Sequence, residues 1–185
     1  VGGTLLSNAI NGSQTWMLAV NGSVAMGQLA LSGGVAINHN TSLAHITANN
    51  MRFANVSSIN LKTWENSELW TLVGAIGVAV NGGGIAGAVA HVETGSNTES
   101  DDTSGISVDS WNIYNPNLAT RTIVNLTGMA TDKVMTMALS GGGGLAAGIS
   151  GAVAYNHNSR NMTVKAKNVE TKVRALATTT INQAD

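Results

Sequence analysis

The chain has 185 residues, 22 of them Gly, with 1 Pro, no Cys and a formal net charge of -1 from 9 Lys+Arg and 10 Asp+Glu. The absence of Cys excludes a disulfide scaffold and every thiolate metal site. So few cations exclude the basic face that general nucleic-acid binding needs, and 43% hydrophobic residues exclude a chain too apolar-poor to fold.

The chain starts at Val1 and ends at Asp185 and reads as a mature piece or an excised fragment of something longer. Abundant Asn, Ser, Thr and Gly with 10% charged residues suit a secreted protein at a bacterial surface. The expected location is therefore extracellular or on the cell surface.

An internal repeat organises the chain. The first stretch, WMLAVNGSVAMGQLALSGGVA, runs from Trp16 to Ala36. Strand patterns follow over 42–48 and 55–63, where apolar and polar residues alternate with period two. The second stretch, WTLVGAIGVAVNGGGIAGAVA, runs from Trp70 to Ala90, then a polar loop over 94–105 and a strand over 105–113. The third, VMTMALSGGGGLAAGISGAVA, runs from Val134 to Ala154 and leads to a strand over 162–175. The three align without gaps, with starts 54 and 64 residues apart, which divides the chain into blocks 16–69, 70–133 and 134–185. Helix is excluded for the Gly-rich stretches, which would lose about 1 kcal/mol per Gly relative to Ala.

Short strands and repeated turns allow a parallel β-solenoid, an up-and-down barrel or a sandwich. The repeat favours the solenoid: an all-β parallel β-helix of three related blocks of about 54–64 residues, in which equivalent positions stack. Ala36, Ala90 and Ala154 would form one column, and Asn38 and Asn156 an amide ladder. Gly and Ala imply a thin interior where backbones approach closely.

Trp16 and Trp70 are repeat-equivalent, which favours inward packing in the wider part of the coil over an outward recognition surface. Trp64 and Trp111 have no repeat partner and are, with Glu99, Asp101 and Asp102 of the polar loop, the candidate partner-binding surface. His39, Glu93 and His157 fall at one repeat position, yet no ligand motif exists, so no metal and no cofactor are expected. Lys165, Lys167, Lys172 and Arg174 read as a solvated strand face. Leu69–Val92 and Val134–Tyr155 carry no formal charge, but their Gly-rich centres would weaken a helix and basic flanks are lacking, so a membrane partner is not expected.

The segment from Ile59 to His91, INLKTWENSELWTLVGAIGVAVNGGGIAGAVAH, resembles the repeat unit of large leukotoxin-like filamentous adhesins, surface proteins of the type V, autotransporter-like class. The likeness extends over nearly the whole chain. It implies a right-handed parallel β-helix outside the cell and brings no catalytic residues. The secretion signal and anchoring barrel of that class are not in this sequence.

The leading expectation is thus a non-enzymatic, adhesive stalk segment. Its partners would be a protein or glycan receptor on a host or bacterial surface and flanking or end-to-end repeats of the same protein. One alternative is a β-helix polysaccharide-degrading enzyme, which needs clustered carboxylates at an open cleft. Another is a pore-forming or membrane-inserting segment.

Overall fold

The computed structural model describes residues 3–95, 103–116, 122–173 and 180–184. These form strands with no helix: β1 (Gly3–Ala25), β2 (Leu29–Asn40), β3 (His45–Asn49), β4 (Arg52–Ala54), β5 (Val56–Ala79), β6 (Gly83–Thr94), β7 (Thr103–Asn115), β8 (Ile123–Gly144), β9 (Ala147–Asn158), β10 (Asn161–Val173) and β11 (Thr180–Ala184). They assemble into three sheets, ordered β1-β5-β8-β11, β2-β6-β9 and β10-β7-β3, with β4 also on β7. Every described pairing is parallel. An up-and-down antiparallel arrangement is thereby removed.

Repeat positions lie side by side. Trp16 pairs with Trp70, Ala36 with Ala90, and Ala90 with Ala154. The gapless alignment fails in one place. β6 and β9 pair 64 residues apart (Ala90 with Ala154), but β5 and β8 pair 65 apart, so Trp70 lies beside Met135 rather than Val134. The difference is taken up in the turns: residues 80–82 join β5 to β6, whereas only Leu145 and Ala146 join β8 to β9. The expected Asn38–Asn156 ladder is also interrupted, because Val92 stands between them. Asn38 instead donates to Thr71 Oγ1 at 3.2 Å. An amide pair forms elsewhere, with Asn125 Nδ2 donating to Asn60 Oδ1 at 2.7 Å.

The long strand β5 changes character along its length, and this positions everything else. Its inward side begins with Ile59 and Leu61, which join Ile106, Val108, Trp111, Ile113, Val124, Leu126 and Val164 in the main core. It continues through buried Thr63, Glu65 and Ser67. It ends on Val73, Ala75, Gly77 and Ala79, facing the Ala86, Ala88 and Ala90 of β6. The outward side reverses that order: Ser58, Asn60, Lys62, Asn66 and Glu68 come first, then Trp70, Leu72, Ile76 and Val78. A broad, ordinary body therefore tapers into a thin two-layer arm. The arm consists of the ends of β1, β5 and β8 packed on β2, β6 and β9.

Small residues make that thinness possible. A Cβ on Gly77 would sit 2.6 Å from the Ile85 carbonyl oxygen, and one on Gly34 would meet Val73 Cγ1 at 2.9 Å. At the opposite end, the third sheet bends at Asn50, Ser110 and Asn168, all at positive φ (56°, 58° and 51°). Asn tolerates this region through local hydrogen bonding. Asn168 Nδ2 also donates to Asp109 Oδ1 at 2.9 Å, which holds the exposed Asp109 carboxylate below its ordinary range.

Candidate interaction surface

Of the residues singled out in the sequence, Trp64 lies at the surface. It stands in a column with Ile10 and Met129, and Lys62 Nζ sits 5.1 Å from its ring centroid. Trp111 is 1% exposed, packs edge-on to Phe53 and donates from Nε1 to the Ala48 carbonyl at 2.8 Å. Its indole belongs to the core and offers no surface. The bend at Ser110 is the reason: it resets the alternation that would otherwise turn Trp111 outward after inward Ile106 and Val108. Glu99, Asp101 and Asp102 lie outside the described residues, as does most of the loop 94–105. Trp111→Phe is expected to cost about 1–3 kcal/mol by removing the indole donor from the part-buried Ala48 carbonyl. Trp64→Phe should stay within about 0.5 kcal/mol, as is usual for surface changes. Urea denaturation of both variants checks this contrast.

Trp16 and Trp70 do not fill the interior as expected: both lie on the outward side of their strands and stack on each other. Their rings stack at 4.9 Å and 4° with Trp16 66% exposed, and Trp70 Nε1 donates to Glu68 Oε1 at 3.0 Å. His39, Glu93 and His157 share a column as the repeat implies, with His39 Nε2 3.8 Å from Glu93 Oε2. Among the described residues, no three metal-capable side chains converge. Lys172 is exposed and pairs with Glu170 at 3.1 Å on the solvated face of β10.

Two further arrangements stand out in the structure. The first is a buried ion cluster. Arg160 contacts Glu65, sits 3.0 Å from Asp132 Oδ2, and donates to the Ser42 carbonyl and Ser67 Oγ at 2.9 and 3.1 Å. Ser42 Oγ donates to Glu65 Oε1, the oxygen Arg160 contacts, and Ser104 Oγ donates to Oε2. Burial pushes the Asp132 carboxyl up, against hydrogen bonds from Ser67 and Asn158, and lowers the Arg160 guanidinium. This is a pair of carboxylates with a cation, but it is enclosed between the two apolar cores. The three side chains are at most 9% exposed.

The second is the outer surface of the arm. On one face the columns read Trp16–Trp70–Met135, Leu18–Leu72–Met137, Val20–Gly74–Leu139 and Val24–Val78–Gly143. On the other they read Leu31–Ile85–Ile149, Val35–Val89–Val153 and Ile37–His91–Tyr155. Many of these side chains are well exposed, and Leu145 at the tip is 84% exposed. Gly74 leaves a notch between Val20 and Leu139, an open apolar groove of about 380 Å³. Contiguous apolar patches of this kind mark interaction sites. Period-two patterning could not reveal this surface, because both sides of these strands are apolar and only side-chain size tells them apart.

Comparison with protein-family models, curated proteins and solved structures found no match.

Proposed function

We propose that this chain is a segment of a parallel β-solenoid, one stretch of a non-enzymatic, extracellular structural or adhesive filament at a bacterial surface. The observation that carries the reading is the register: like side chains pair 54 and then 64–65 residues apart in two sheets, with the turns between them also bonded from one layer to the next. Such a unit is read as a coil that stacks on its neighbours. Layers about 4.8 Å apart make three coils only about 15 Å tall. The segment is then a plate, and the long axis belongs to the continued stack, either through flanking repeats or end to end. The Trp64 column supplies the contact surface for a receptor.

Antibodies raised against the segment and applied to intact producing cells test this proposal. Labelled filaments whose diffraction shows an axial spacing of about 4.8 Å support it. Labelling only after permeabilisation, or a compact particle lacking that spacing, overturns it.

A further inference from the structure

The arm is polar on the wrong side for a strand pair in water. Over Leu72–Val78 of β5 and Gly83–Val89 of β6, and at the register positions beside them in β1, β2, β8 and β9, every outward side chain is Gly, Ala, Val, Leu, Ile or Met; the tip turns add exposed Gln28 and Asn81, whose Nδ2 donates to the Met26 carbonyl at 3.0 Å. The hydroxyls of this region turn inward instead. Ser23 lies beside Gly77 and Ser32 beside Ala86, and the buried Oγ of each has no hydrogen-bond partner. A half-solvated sheet shows the reverse order, whereas strands facing hydrocarbon are apolar outside.

The base of the arm is marked in the same terms. Thr71 and Asn38 bond across the two layers, so they lie at one level. Beside that level stand stacked Trp16 and Trp70 on one face and Tyr155 against His91 on the other. Immediately below come Gln14, Glu68 and Lys133 on the first face, and His39, Glu93 and His157 on the second. Aromatic side chains with one polar atom, placed between a charge-bearing zone and an uncharged one, are the pattern of a membrane–water boundary. From Trp70 to Val80 the strand runs about 33 Å at about 3.3 Å per residue, comparable to the roughly 30 Å hydrocarbon core of a bilayer.

We infer that the arm is a lipid-binding element that enters the hydrocarbon of a bilayer tip first, to the level of Trp16, Trp70 and Tyr155. The unpaired edges of a lone arm would be costly there. Stacked coils cover them, so a filament would carry its arms as a continuous apolar fin. That continuity rests on the solenoid reading, whereas lipid contact by the two faces does not. The arm carries no formal charge, so attachment does not depend on anionic lipid.

Vesicle flotation tests the inference, using the chain alone and two copies fused in tandem, with vesicles of pure phosphatidylcholine and with added phosphatidylglycerol. Both vesicle types are expected to float the protein equally at low and high salt. Trp fluorescence in a Trp64→Phe background should be quenched more by lipid brominated near the headgroup than near the chain end. Ile76→Asp combined with Ile85→Asp alters two outward residues, and should lower partitioning at least tenfold with an unchanged thermal melt. A third variant, Val20→Ser with Val35→Ser, gives a milder loss should the acidic pair fail to fold. The inference is overturned if neither form floats, if the folded variants float as well as the parent, or if the arm pairs two chains in solution and lipid does not compete.

Discussion

Gly84→Val is expected to prevent folding, whereas Gly87→Val three residues away on the same strand should be tolerated. Gly84 faces the interior of the arm, where an added Cβ would run into the carbonyl oxygens of Gly77 and Gly143 and come within 2.8 Å of the Gly143 amide. These are backbone atoms of two neighbouring strands, held by their own ladders, so no side chain can swing away to make room. Ordinary overpacking costs about 1–3 kcal/mol because side chains adjust. Forcing two sheets apart over several layers should cost more, against a total stability of about 5–15 kcal/mol for a domain. Gly87 points outward, and its Cβ would meet only the Gly151 carbonyl at 4.0 Å. A β-branched residue there gains strand propensity over Gly. Circular dichroism and urea denaturation of the two variants decide the matter. Equal stabilities would mean that the two layers of the arm are not in close contact.

That contrast also shows what the sequence could and could not reveal. The columns through Ala36, Ala90 and Ala154 were legible because 54- and 64-residue spacings bring identical Val-Ala exits together. The slip between β5 and β8 was not, since Gly141–Gly144 aligns equally well at either spacing and the missing turn residue leaves no mark. Trp111 was misplaced for a different reason. Alternation continues only while the backbone stays extended, and one left-handed residue at Ser110 inverts it. Asn50 and Asn168, Asn residues at the corresponding bends, were the available signal. Glu65 also announced itself: it falls in phase with Ile59, Leu61 and Leu69, so period two sends a carboxylate into the core and demands a buried cation. No pattern names Arg160 as that cation, because it lies far along the chain, in the turn between β9 and β10.

Arg160→Met is expected to destabilise the protein by about 3–5 kcal/mol at neutral pH, because removing one member of a buried ion cluster strands the others. Glu65 is 0% exposed and would keep only its hydroxyl partners, Ser42 and Ser104. Asp132 would lose its cation at a site where Oδ1 already has no partner. The pH dependence follows from the direction in which burial moves Asp132. Its carboxyl is held above the ordinary value, so below the folded-state value the native chain retains a proton that the unfolded chain releases. Without Arg160 that tendency grows, and stability should rise as pH falls from neutrality towards about 4, the ordinary carboxylate range. The deficit of Arg160→Met relative to the parent should therefore shrink on acidification. Adding Glu65→Gln and Asp132→Asn to Arg160→Met should recover most of the loss at neutral pH, since a cluster replaced as a whole by neutral groups leaves no stranded charge. Urea denaturation across that pH range measures both effects. A deficit independent of pH, or a triple variant no better than the single one, would show that Arg160 acts by packing its alkyl stem rather than by holding two carboxylates inside the stack.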